Sequence, residues 1–430
     1  MRAESWRIGR GASLLAALAL VACGGSDSAP PVPSSSVPPP RSAPPPSSAP
    51  PPSAPAPTDL VGLDDPPPVP DSVVPAGPLA DVTPPAHGCV LAAEGAQPVI
   101  EGASAADVAL EDGAFVVAAF EGAPETIRLA RVAPGGAPSP LGVLELDAGG
   151  DAAHRAAPPV VTRLDDTHMG VAAIDSAGAV RLARFEAGSP APVLAAFVVA
   201  PSGADARYPA AIAQVDAGTL VAWTAPVGTS AHVRVARVDA AGVVSEPHDV
   251  TPEAGTAAAP VFDAAGLLYF VDARAGISVV HRVSFGSEGE PGPATVAQPL
   301  NLAGEPPSFA VVGARLGYAA VGNGATRAVG IVTVGSSDRA LPLVPGLGYG
   351  DPITIDAEPL GSAALFAMEA PSAVEASAPH ETRLRVVLGE AIGEPLVVAG
   401  LLSPRIAVGP GGIVALTGHG ASVRWARCAP

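Results

Sequence analysis

The chain contains no lysine; all 23 of its basic residues are arginine. Against them stand 41 acidic residues, and the formal net charge is −18. That balance argues against a nucleic-acid role, which needs a basic footprint to neutralise phosphates. Aromatic residues make up only 4% of the chain, so a core must be filled by Val, Leu, Ile and Ala. Such side chains suit many thin, closely packed strands. Reaction signatures are missing as well. There is no His-Glu-x-x-His, Cys-x-x-Cys, Gly-x-Ser-x-Gly or phosphate-binding loop, and the eight histidines show no metal-ligand spacing. Local motifs therefore imply no catalytic residue, no metal and no cofactor. A site assembled from distant loops would escape that test.

The apolar stretch from Ala12 to Ala22 covers about eleven residues, too few to span a bilayer. Arg2, Arg7 and Arg10 precede it, and it ends in Leu20-Val21-Ala22-Cys23. This pattern resembles the lipobox of bacterial lipoproteins. The resemblance covers about the first 25 residues. It implies a signal peptide over residues 1–22 and a lipid, such as palmitate, on Cys23. Lipidation would anchor the protein to a membrane without spanning it. By likeness to Gram-negative sorting, Gly24 after the cysteine implies the outer membrane of the bacterial envelope. The alternative is an ordinary secretory cleavage site with a chance cysteine.

Residues 23–86 are mostly Pro, Ser and Ala with almost no apolar periodicity. Proline runs such as Pro38-Pro39-Pro40 and Pro66-Pro67-Pro68 favour extended polyproline II. At about 3.1 Å per residue, roughly 60 residues reach on the order of 150–190 Å. A disordered, extended spacer between lipid and folded domain is expected.

The segment Ile127-Arg128-Leu129-Ala130-Arg131-Val132 returns at Val180–Phe185, at Val233–Val238 and finally at Val423–Cys428. Degenerate copies begin at Val279, Val329 and Leu384. Seven copies at a period of roughly 40–54 residues indicate an array or a propeller. Each copy follows another apolar strand and a turn, as in Phe115–Phe120 before the first. Upstream lies a third strand, usually opened by a proline: Pro159, Pro209, Pro260, Pro307, Pro352 and Pro404. Proline is tolerated at a strand's first residue, where its missing N–H disturbs no ladder bond. A fourth strand follows each copy, as in Leu396–Ala399.

The expected fold is all-β: a seven-bladed β-propeller of four-stranded blades over residues 87–430. The likeness is to the architecture, since the labelled propeller repeats are absent. A solenoid or two-sheet array is the alternative. The last copy leaves no residues for a fourth strand, whereas Cys89–Ile100 has no blade of its own. Many propellers complete the last blade with an N-terminal strand. That arrangement is expected here, with a disulfide between Cys89 and Cys428, which an exported protein permits.

A binding site is normally used once, so the recurring Arg131, Arg184, Arg237, Arg282 and Arg427 read as scaffold. Their stems should pack between blades, with heads on carbonyls or carboxylates. Asp112, Asp165, Asp216, Asp263 and Asp356 read as turn residues after each first strand. Departures from the repeat are the better functional candidates. The loops between second and third strands carry Glu121, Asp175, Asp272, Arg274, Asn323, Glu369, His380 and His419, a candidate binding face. Two functions compete. One is a non-catalytic envelope lipoprotein binding or scaffolding a protein or glycan. The other is a propeller hydrolase or lyase acting on extracellular polymer.

Overall fold

In the repeated strand, successive side chains point to opposite faces of the sheet. Both faces are apolar here. Ile127 and Leu129 join one buried cluster, Ala130 and Val132 another. The same split divides Val180 and Leu182 from Ala183 and Phe185. A strand buried on both faces must lie in a sheet sandwiched between two others, and this is what a blade requires.

The structure is a computed structural model. It describes residues 79, 82–93, 95–121, 126–146, 157–252, 256–274, 277–300, 308–321, 327–335, 341–344, 354–371 and 380–430. The chain divides into two units, 1–62 and 63–430, and the described residues all lie in the second. The signal peptide, Cys23, most of the spacer, Pro307, Pro352 and Asn323 lie outside the described residues.

Two short strands come first, β1 (Cys89–Leu91) and β2 (Gln97–Pro98). Blade one is β3 (Ala103–Glu111), β4 (Ala114–Glu121), β5 (Thr126–Val132) and β6 (Ser139–Glu145). Blade two is β7 (Val160–Arg163), β8 (His168–Ile174), β9 (Val180–Glu186) and β10 (Ala195–Ala200). Blade three is β11 (Ala211–Val215), β12 (Gly218–Val227), β13 (Ser230–Val238) and β14 (His248–Asp249). Blade four is β15 (Ala257–Phe262), β16 (Leu268–Arg274), β17 (Ile277–Val283) and β18 (Thr295–Pro299). Blade five is β19 (Ser308–Val312), β20 (Arg315–Val321), β21 (Arg327–Thr333) and β22 (Leu341–Val344). Blade six is β23 (Ile355–Leu360), β24 (Ala363–Pro371) and β25 (His380–Leu388), with its outer strand in two pieces, β26 (Ala391–Ile392) and β27 (Leu396–Ala399). Blade seven is β28 (Arg405–Val408), β29 (Ile413–Thr417) and β30 (Ser422–Cys428).

Six of the seven sheets are antiparallel meanders in chain order. Blade seven takes its outer strand from the N-terminal side: β1 pairs Cys89 with Cys428, and β2 pairs Gln97 with Val423. The cysteines are bonded, with Cα atoms 4.1 Å apart. Each of seven apolar clusters among the described residues sits between two neighbouring blades, including one between blades seven and one. That last cluster holds Leu79, fully buried. A side chain of this size contributes about 1.5–3 kcal/mol when removed from water.

Proline placement is partly as expected. Pro159 and Pro404 immediately precede β7 and β28, but Pro260 lies inside β15. There the register shifts between Ala258 and Val261, and Ala259 has φ 57°. A bulge accommodates the missing N–H.

Candidate functional site

The first strands of all seven blades line an axial cavity of about 190 Å³. Its charged residues are Asp107 on β3, Asp356 and Glu358 on β23, and Arg405 on β28. Asp356 and Glu358 are two apart on one strand and share a face. Asp107 Oδ2 accepts the Val161 N–H of blade two at 2.8 Å, and Asp356 Oδ2 accepts the Ile406 N–H of blade seven at 2.8 Å. Ser308 Oγ accepts the Ile355 N–H of blade six at 3.3 Å. One device thus recurs: an inner-strand side chain holds the backbone of the next inner strand.

Burial pushes the Asp107 carboxyl up to about 7, with the Arg405 charge opposing it and Asp356 reinforcing it. Asp356 is raised by burial against the pull of Arg405 and the Ile406 N–H. Arg405 Nη1 lies 3.8 Å from Asp356 Oδ1, too far for a hydrogen bond. Glu358 is raised well above the carboxylate range, first by burial and then by the negative charges of Asp356 and Asp107. Burial of three acids around one arginine thus favours their protonated forms, most clearly at Asp107. Among the described residues, no group of three His, Cys, Asp or Glu is placed to hold a metal ion.

The axial acids were not legible as a site. Asp356 reads as a turn residue in sequence but lies within β23, whereas Asp112, Asp165, Asp216 and Asp263 do sit between first and second strands. The signal available was a lone acid inside an apolar strand, as in Ala105-Ala106-Asp107-Val108.

The loop candidates are dispersed over several blades. Glu121 ends β4 and pairs with Arg128. Asp175 is fully buried and folds its own turn, accepting the Ala177 and Ala179 N–H groups at 3.0 and 2.8 Å. Asp272 is fully buried in β16 and accepts the Thr256 N–H at 3.0 Å, with His281 Nε2 3.4 Å away. Arg274 is the last residue of β16. His419 Nδ1 lies 2.6 Å from Ser104 O in blade one. Glu369 and His380 are brought together: Glu369 Oε1 is 2.7 Å from His380 Nδ1, and its Oε2 accepts the Ser403 N–H at 2.8 Å. Asp272 and Glu369 so hold the connections leading to and from their blades.

Three of the five repeated arginines, Arg131, Arg184 and Arg237, have the role their recurrence implies. Arg131 shares the face of Ile127 and Leu129, toward blade two, by strand alternation. It donates to Ser189 O at 2.9 Å and pairs with Glu111. Arg184 donates to Asp239 O of blade three at 2.9 Å, with its guanidinium 4.7 Å above the Phe197 ring. Gly242 (φ 87°) leaves room for that ring, which a Cβ would strike. Arg237 donates to Glu288 O of blade four at 2.8 Å. Arg282 instead stands directly opposite Tyr269 in its own blade.

No protein-family model and no curated protein matches the chain. Among solved structures, the propeller of Dos1 overlaps with TM-score 0.44 and 10% identity over 76% of this chain and 78% of that one. The WD40 β-propeller domain of Doa1 gives 0.43 and 10% over 77% and 96%. A puromycin-hydrolysing peptidase of Mycobacterium tuberculosis gives 0.36 and 17% over 74% of this chain, which spans 60% of the peptidase's length. Overlaps of this size say nothing about what the chain binds or does; its fold rests on its own seven sheets.

Proposed function

We propose that the chain is a lipid-anchored bacterial envelope protein, held in the outer membrane through Cys23. Its propeller acts as a non-catalytic binding or scaffolding module for a protein or glycan. The observation that carries this reading is where the charged side chains go. Arg131, Arg184 and Arg237 hold adjacent blades together. Asp175, Asp272 and Glu369 hold turns and connections. A frame braced in this way leaves contact with partners to the loops that depart from the repeat, raised above the membrane by the proline-rich spacer. Palmitate labelling of the membrane fraction, followed by crosslinking and pull-down from intact envelope, tests it. One saturable protein or glycan partner, lost with loop variants, supports the reading. An unlabelled, soluble wild type would remove the anchor.

The axial cavity favours a second reading, a hydrolase or lyase. A carboxyl titrating near 7 suits general acid–base work, and Asp107 is one. A cavity of about 190 Å³ is narrow for a polymer, which weighs against this reading. Turnover of an extracellular polysaccharide or peptide that Asp107→Asn abolishes would establish it.

A further inference from the structure

Neighbouring blades one to seven are joined in sequence by the backbone, but blades seven and one are joined differently. The link runs from Cys428 through the disulfide to Cys89, then along β1 and β2 into β3. This completes a covalent circuit around the ring. The rest of the hold is noncovalent: three residues of ladder in β1 and two in β2, the Ala92 N–H bond to Trp425 O at 2.8 Å, the Gln97 side chain and the apolar contacts of Leu91, Ala92 and Ile100. No other cysteine lies among the described residues.

We propose that the Cys89–Cys428 disulfide is a redox-responsive latch. Reduction by a dithiol frees the N-terminal outer strand of blade seven. Cys89 and Leu91 of this strand pack on the cluster between blades six and seven, and the following Ala92 and Ile100 lie in the cluster between seven and one. The other five seams stay closed. Cys428 is 3% exposed, whereas Cys89 is only half-buried, so the Cys89 sulfur is the point of attack. A reductant thiolate bonds to Cys89 Sγ, the S–S bond breaks, and the Cys428 thiolate leaves and takes a proton. The second thiol of the reductant then displaces Cys89 as a thiol, and the reductant departs as its own disulfide. Two electrons pass from the dithiol to the protein. With the circuit broken, β1 and β2 are held as short edge strands, and such short pairings are marginal alone. Their release uncovers the outer edges of both apolar clusters that flank blade seven, the one of Leu384 and Ala426 and the one of Phe115 and Trp425.

Native-state hydrogen exchange on the full chain, with and without dithiothreitol, tests the latch. Thiol titration confirms reduction in the same samples. Amides of Cys89–Leu91 and Ser422–Cys428 should exchange on the order of 100-fold faster or more once reduced, given what long-loop crosslinks contribute. Those of β8, β9, β12 and β13 should keep their rates. A Cys89→Ser/Cys428→Ser variant should show the fast pattern without reductant and ignore its addition. Unchanged exchange in β1 and β30 after full reduction would overturn the latch. So would equal acceleration in all blades, which would mean that the ring melts as a whole. Reduction of the wild type decides the matter even if the variant fails to fold.

Discussion

The seams between blades one and two, two and three, and three and four are built alike, and the seam between seven and one is not. In the first three, an arginine from the third strand reaches a carbonyl in the next blade's outer loop. Arg427 stands at the same place in β30, but it donates to Val82 O at 2.9 Å, in the segment preceding β1. Blade one's outer loop is met by another residue: Gln97 donates to Gly136 O at 2.5 Å and accepts the Trp425 indole N–H at 3.0 Å. Trp425 also meets Phe115 of blade one edge to face, with ring centroids 5.3 Å apart. Repetition makes seams cheaply, one arginine at a time. The junction where the ring meets itself has its own parts: a disulfide, an aromatic pair, a bridging glutamine, and His419 against Ser104 O.

That difference can be broken at either kind of seam. Trp425→Ala should have the largest effect, about 3–5 kcal/mol, because it empties a core position and removes the Gln97 anchor together. The denaturant midpoint should shift without loss of cooperativity in blades two to five. The axial acids come next, and their sign can be stated. A carboxyl raised in the folded state binds its proton more tightly there than in the unfolded chain, so stability falls as pH rises from about 3.8 toward 7. Asp107→Asn keeps an acceptor for the Val161 N–H and removes one such group. It should stabilise the protein by about 1–4 kcal/mol above pH 7 and change little below pH 4. Asp356 and Glu358 share the sign, so the variant's pH slope should shrink without vanishing. Thermal melts from pH 4 to pH 8 check both.

Arg184→Ala and Arg237→Ala should each lower stability by about 0.5–3 kcal/mol, in the range of single changes, and leave exchange in β30 untouched. Gln97→Ala is the smallest, about 0.5–1.5 kcal/mol for its hydrogen bonds, and its exchange signature should be confined to β2, β30 and the Gly136 turn. If the arginine variants loosened the seven–one seam as much as Gln97→Ala does, the two kinds of seam would not be distinct.

The repeat made the blades legible because each strand is buried on two faces. Its arginines then fall on the side of Ile127 and Leu129, pointing at the next blade. The outer strand of blade seven was legible by subtraction, since Cys89–Ile100 belonged to no repeat. Sequence could not show that Leu79, inside the expected spacer, is buried at the seam, because a single leucine among prolines carries no period. The axial acids stayed hidden for another reason. Asp107 and Glu358 come from blades far apart in the chain, and only the ring brings them to one cavity. Glu369 and His380 are opposite ends of a loop, and their contact depends on the register of β24 with β25.

The central claim is that a segment from the N-terminal side completes the last blade, locked to it by a disulfide. Peptide mapping of the native, unreduced protein by mass spectrometry tests this most directly. The account predicts a single crosslinked species joining the Cys89 peptide to the Cys428 peptide, and its disappearance on reduction. Free thiols at both positions in the freshly isolated protein would contradict it.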